Sequence, residues 1–143
     1  MDEVEDLLHV LAQFRKGLRQ FSTFSERITA ERGLTPALQQ LMLVVVTSRT
    51  VPDIQMVANG LGLAHHSAAE LVQRAEQAGL LTRHADPSDA RRWLLKPTAE
   101  GREKVLSLAL VHARELSRIR TSAFGGLERL DELLRQIDQR SPS

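Results

Sequence analysis

The sequence predicts a mainly α fold with one small β-hairpin, and three observations carry that expectation. Apolar residues recur at steps of three and four through most of the chain. Two short amphipathic segments flank a tight turn at Gly62. Beyond them, the turn-forming stretch Asp86-Pro87-Ser88-Asp89-Ala90 separates two short runs of strand character.

At 143 residues, with 42% hydrophobic and 26% charged residues, the chain is sized for a single domain over 1–143, and its composition is that of a folded protein. It contains no cysteine, which excludes disulfides, thiolate metal sites and thiol-based redox switching. The first thirty residues mix acidic, basic and apolar positions, unlike a secretory signal peptide. The longest apolar run, Leu41 to Val46, falls far short of a membrane span. A cytoplasmic location with no membrane partner is therefore expected. The formal net charge is only +1, so any argument for a nucleic-acid partner depends on where the charges sit.

Val4, Leu7, Leu11, Phe14, Leu18, Phe21 and Ile28 follow alternating steps of three and four, with Ser25 in the one polar place of the register. That spacing makes a long first helix with one apolar seam, which either packs within the chain or on a second chain. Gly33 ends it. Thr35 as N-cap and Pro36 at the first helical position open a second helix that runs to about Val46. Asp53 caps a third, with Ile54, Val57, Ala58 and Leu61 on its apolar face, and Gly62 stops it. In the next segment Ala68, Leu71, Val72 and Ala75 share one face.

Leu80 to Ala85 and Arg92 to Lys96 read as strands joined by the Asp-Pro turn, which makes a wing after the helix-turn-helix. Thr98 caps a fifth helix reaching about Phe124, with Val105, Leu108, Val111, Leu116 and Ile119 as buried candidates. Gly125-Gly126 breaks it, and a last helix presents Leu127, Leu130, Leu133, Leu134 and Ile137. The whole reads as a winged helix-turn-helix with long terminal helices.

From Leu34 to about Lys104 the chain resembles the MarR family of winged helix-turn-helix regulators. The resemblance is carried by Gly33-Leu34-Thr35-Pro36 and by Val57-Ala58-Asn59-Gly60-Leu61-Gly62-Leu63. It continues through His65 to Arg74 and on to Ala78-Gly79-Leu80-Leu81. The wing Asp86-Pro87-Ser88-Asp89-Ala90-Arg91-Arg92 and the stretch Leu95-Lys96-Pro97-Thr98-Ala99-Glu100-Gly101-Arg102 complete it. Three residues depart from the family pattern. Pro97 replaces an apolar residue and would cost a ladder hydrogen bond if paired. Ala75 stands where a larger leucine is common, and Glu70 where a non-acidic residue is frequent.

The resemblance implies a two-fold dimer built from both termini, with dimerisation helices at 1–32 and 104–143 around a winged helix-turn-helix at 34–103. Leu7, Leu11, Phe14, Leu18, Leu127, Leu130 and Leu134 are the dimerisation residues expected on that basis, and the alternative for the first four is burial within the chain.

Taking Ala68, Leu71 and Ala75 as the buried face, 100° per residue turns His66, Glu70, Gln73 and Gln77 outward. In a helix-turn-helix that face enters the major groove. Glu70 can accept from a cytosine amino group, Gln73 can pair with adenine, and Ala69 can touch a thymine methyl. Ser67 and Arg74 lie to the side, suited to phosphates, and His65 begins the helix. Arg91 and Arg92 follow the wing turn, where an arginine can enter a narrow minor groove or pair with Asp86 or Asp89. By resemblance, Asp89 braces the wing and Arg91 is the minor-groove residue.

From Gly60 to Arg102 the basic residues are Arg74, Arg83, Arg91, Arg92, Lys96 and Arg102, against Glu70, Glu76, Asp86, Asp89 and Glu100. Six against five is no broad basic patch, so modest non-specific affinity is expected. His65-His66 diverge by about 100° on a helix and lack a third ligand, so no metal site is expected there. His112 and Glu115 share a helix face, either as a solvated pair or as a zinc or small-ligand site. No nucleotide-binding, nucleophile-elbow or metalloprotease motif occurs, so neither catalysis nor a cofactor is expected.

The partners expected are double-stranded DNA, a second copy of the chain, and a small-molecule effector. The family places effectors in a crevice lined by parts of the first, second and fifth helices, here including Gln39, Met42 and His112. The competing reading keeps the fold and drops the DNA, leaving a protein-interaction or dimerisation module.

Overall fold

The helices begin and end where local chemistry permits. In the computed structural model, which describes residues 2–140, they fall into two units: residues up to Ser25 with those from Val111 onward, and Glu26–Leu110. Helix α1 (Glu3–Glu31) and helix α5 (Ala99–Ile119) each contribute to both.

In the Glu26–Leu110 unit, Thr35 Oγ1 accepts the backbone N–H of Leu38 at 3.2 Å and Pro36 is the first residue of α2 (Pro36–Thr47). Proline costs nothing there, because its missing N–H would have no helical partner. Asp53 Oδ1 accepts Met56 N–H at 2.8 Å to start α3 (Ile54–Leu61). Gly62, at φ +66°, ends α3 in the left-handed conformation that lets the chain reverse within two residues. Helix α4 (His65–Gln77) follows, with Ala64 at its N-cap offering no side-chain acceptor.

Ala68, Leu71, Val72 and Ala75 are all fully buried, so the sequence reading of α4's inner face holds. Helix α3 packs on α4, and α2 packs on both. Ala75 is 0% exposed: the small residue is enclosed by its neighbours.

The wing pairs β1 (Leu81–Asp86) antiparallel with β2 (Asp89–Pro97) in a register running from Leu81–Pro97 to Asp86–Asp89, with an irregularity between Ala85 and Asp86. Only Pro87 and Ser88 lie outside the strands. The sequence reading placed five residues in this turn and began the second strand at Arg92. The correction has a local cause: Asp86 Oδ1 accepts both the N–H and the hydroxyl of Ser88, at 2.9 and 2.8 Å, which closes the turn on itself. Pro97 takes the last rung of the ladder, where a missing N–H interrupts nothing beyond it. On the other edge of β2, Asp53 bridges to Leu94 and Leu95 N–H donates to Pro52 C=O at 2.9 Å.

Thr98 joins the wing to α5. Its N–H donates to Leu80 C=O at 3.0 Å, its hydroxyl donates to Gly79 C=O at 2.6 Å, and that same hydroxyl oxygen accepts Gly101 N–H at 2.9 Å.

In the other unit, Val10, Gly17, Ile119, Ala123 and Leu133 are buried. Phe14 meets Phe124 edge-on, with centroids 5.7 Å apart. His112 Nε2 lies 3.0 Å from Ser25 Oγ, and its ring packs against Phe21 and Phe24.

Four expectations change. Val4, Leu11 and Leu18 of the α1 seam are exposed while Val10, outside the seam, is buried. Leu116 is exposed rather than buried, because Ile119 and Ala123 take the inner positions of that stretch. Helix α5 ends at Ile119, and a π-type turn (Arg120–Phe124) replaces its expected last turn. Leu127 lies in a 3-10 turn (Gly125–Arg129) ahead of helix α6 (Leu130–Arg140), since Gly126 packs on Val10, where a Cβ would come within 2.7 Å of Cγ2.

Candidate nucleic-acid interface

Helix α4 turns His65, His66, Glu70, Gln73, Arg74 and Gln77 to solvent, while Ser67 and Ala69 are half-buried at its flank. The buried and exposed sets interleave as a 3.6-residue repeat requires. His65 Nδ1 lies 2.9 Å from Gln55 Oε1, and Gln55 Nε2 donates to Asn59 Oδ1 at 2.9 Å, so the first turn of α4 is tied to α3. The pair His65-His66 is thus split between a structural contact and solvent.

The wing stands beside this helix start. A cleft of about 380 Å³ between them is lined by Gln55 and His65 on one side and by Arg91 and Trp93 on the other. Arg91 has a side chain 92% exposed, and its partner among the described residues is Asp89, whose Oδ1 accepts the Arg91 N–H at 3.0 Å and Nε at 3.3 Å. Arg92 behaves differently. Its Nε donates to Asp53 Oδ2 at 2.6 Å and its Nη1 to Asp86 Oδ2 at 3.1 Å. The sequence reading left each arginine either at DNA or paired with Asp86 or Asp89, and in the structure Arg92 pairs with Asp86 and also with Asp53, a partner that reading did not name.

The electrostatics follow from these bonds. Burial pushes the Asp53 carboxyl up, but hydrogen bonds from Arg92 and the Met56 N–H outweigh it, and the group lies below its usual range. The N–H and hydroxyl of Ser88, with Arg92, lower Asp86 in the same way. Arg92 is raised by its bond to Asp53 and then by Asp86. A third pair neutralises Arg83: Glu76 takes its guanidinium at 3.1 Å, and the hydrogen bond holds the Glu76 carboxyl below the usual carboxylate range. Arg83 also lies 5.2 Å from the centre of the Trp93 ring.

Trp93 escaped the sequence reading. It is the one tryptophan of the chain and is 42% exposed on β2 next to the two arginines. The one tryptophan of the chain, directly after Arg91-Arg92, was the available signal. Of the expected effector-crevice residues, Met42 and Gln39 are buried in α2, and His112 is buried among Phe21, Phe24 and Ser25. Gln39 Nε2 donates to Val105 C=O at 3.3 Å while its Oε1 is buried with no partner among the described residues.

A helix-turn-helix whose second helix is solvent-facing, joined to a hairpin with an outstretched arginine, can read a duplex. Comparison with solved structures decides the architecture. AbsC, a MarR family transcriptional regulator from Streptomyces coelicolor, superposes with a TM-score of 0.71 over 87% of this chain and 86% of its own, at 21% identity. The fold is that of the MarR family.

Another neighbour, the transcriptional repressor CouR bound to a 23-mer DNA duplex, matches with a TM-score of 0.68 at 22% identity over 90% of this chain and 89% of its own. Among curated proteins, an uncharacterized HTH-type transcriptional regulator of Bacillus subtilis, YkoM, is 26% identical over 88% of this chain and 79% of its own length. These relatives are named as regulators rather than enzymes. No family model matches the chain. Among the described residues, no helix is long and apolar enough to cross a membrane.

Proposed function

We propose that this MarR-type chain is a sequence-specific DNA-binding transcriptional regulator, without catalytic activity, acting in the cytoplasm as a homodimer on an inverted-repeat operator and modulated by a small-molecule effector. The observation that carries this reading is the solvent-facing row His66, Glu70 and Gln73 on α4, flanked by the outstretched Arg91 of the wing. The row offers donors and acceptors for base edges, and Arg91 offers a charge for the minor groove. Ser67 and Arg74, with the backbone N–H groups at the uncapped start of α4, are suited to phosphates. His65 takes part through its tie to Gln55, and Asp89 through its hold on Arg91.

One feature favours a second reading. Glu70 stands in the middle of the outward face, where a carboxylate is repelled by phosphates, as a protein-interaction surface would tolerate. A mobility-shift assay separates the two, using DNA upstream of the chain's own gene and a randomised duplex pool carried through selection. The regulator reading expects an enriched inverted repeat with half-sites about 34 Å apart. Failure to enrich any motif, together with salt-insensitive binding, sinks it and moves the protein-interaction module ahead.

A further inference from the structure

We propose that Arg92 is a positioning residue: by bridging Asp53 and Asp86 it locks the wing to the start of α3 and sets where Arg91 stands relative to the recognition helix. The proposal rests on the DNA-binding reading above.

Each of the two carboxylates already has a structural task. Asp53 caps α3 through Oδ1, leaving Oδ2 for Arg92. Asp86 closes the wing turn through Oδ1, leaving Oδ2 for the same guanidinium. One side chain therefore connects a helix start with the tip of a hairpin. The two aspartate side chains are only 16% and 9% exposed, so the carboxylate side of the bridge is shielded although the Arg92 side chain is 42% exposed. Arginine suits the task because its planar fork holds two carboxylates at once, where a lysine ammonium is a single point charge.

The base of the wing has its own support in the Leu95 N–H bond to Pro52 C=O and the Thr98 bonds. Toward the tip, a two-stranded hairpin has little stability of its own. Successive side chains on a strand point to opposite faces, so adjacent Arg91 and Arg92 cannot do the same work. Arg92 reaches inward to the aspartates, and Arg91 is left to solvent. A hairpin already fixed avoids the ordering cost that a loose one meets on binding.

The test uses the full chain and the variants Asp53→Asn, Arg92→Ala, Arg92→Lys and the double variant Asp53→Asn with Arg92→Ala. Asparagine remains a good N-cap, so Asp53→Asn removes the charge and keeps α3. In the free protein, wing amide hydrogen exchange and acrylamide quenching of Trp93 report the hairpin directly. Asp53→Asn and Arg92→Ala should each speed wing exchange about threefold or more while leaving α2 and α4 unchanged. On the selected operator both should weaken binding about tenfold with the salt slope of the wild type, and the double variant should be no weaker than either. Arg92→Lys should recover only part of the loss.

A direct DNA contact by Arg92 gives the opposite pattern. Asp53→Asn would then free the arginine and strengthen binding, and Arg92→Ala would lower the salt slope by about one unit. Either result overturns the proposal, as does unchanged wing exchange in Asp53→Asn. A wild-type protein that binds no DNA overturns the regulator reading instead, and the exchange experiment still judges the clamp.

Discussion

Gly101 lies so close to Leu80 that a Cβ built on it would come within 2.0 Å of the Leu80 carbonyl oxygen and 2.7 Å of its carbon. The contact is what allows Thr98 to hold the start of α5 against the α4–β1 junction through two hydrogen bonds, to Leu80 and Gly79, while its hydroxyl oxygen caps the Gly101 N–H. A glycine three residues after the capping threonine thus has a packing reason rather than a conformational one.

Gly101→Ala should therefore destabilise the fold by about 3 kcal/mol or more, since the opposing atoms are backbone and cannot rotate away. Urea unfolding followed by circular dichroism measures it. A loss below about 1 kcal/mol would show that the junction can relax.

Gln39 carries the opposite expectation. Its Oε1 is buried with no partner among the described residues, and its bond to Val105 C=O is long at 3.3 Å. Gln39→Met keeps the shape and removes the orphaned acceptor, so stability should hold or rise by up to about 1 kcal/mol. A clear loss would mean that a bound water or ligand satisfies the amide in solution.

The terminal helices leave Leu8, Leu11 and Leu18 of α1 exposed, along with Leu127 and Leu134 nearer the C-terminus, while Leu7, Phe14 and Leu130 are half-buried. Apolar surface on this scale is expected to be covered by a second copy. Light scattering at micromolar concentration should give about twice the 16.0 kDa chain mass. Leu11→Glu with Leu18→Glu should yield monomer or unfolded chain, and a folded wild-type monomer would remove the dimer from the proposed function.

Affinity and specificity should separate between wing and helix. Arg91→Ala is expected to weaken binding to every duplex and to flatten the dependence on salt by about one unit. Gln73→Ala should relax preference at one base pair by roughly 1 to 3 kcal/mol. Glu70→Ala should relax another and raise non-specific affinity, since it removes a repelled charge. Salt titrations on the operator and on single-base variants read all three. Unchanged slope for Arg91→Ala with unchanged base preference in the other two would refute this docking.

Much of this molecule was legible without coordinates because it is written in short-range chemistry. Thr35 with Pro36, Asp53, and Gly62 mark helix ends through bonds to residues three or four positions away, and the period of Ala68, Leu71, Val72 and Ala75 decides which way α4 faces. Those interactions lie within a few residues of their cause, so the helix-turn-helix, the wing and the outward residues of α4 could be read directly. The tie of Arg92 to the start of α3 could not, though the resemblance already gives Arg91 the minor-groove role. The two are neighbours of the same type, and what separates them is Asp53, 39 positions from Arg92 and brought to it only when α3 packs beside β2.

The same holds for α1. Its sequence offers a seam through Leu11 and Leu18, yet up to Ser25 it is Val10 and Gly17 that are buried, because Gly126 and Ala123 approach them from the far end of the chain. Local periodicity determined that these segments are helices. Which side the first part of α1 buries, and that Arg92 meets Asp53, was decided by partners distant in sequence, whose proximity only tertiary packing creates.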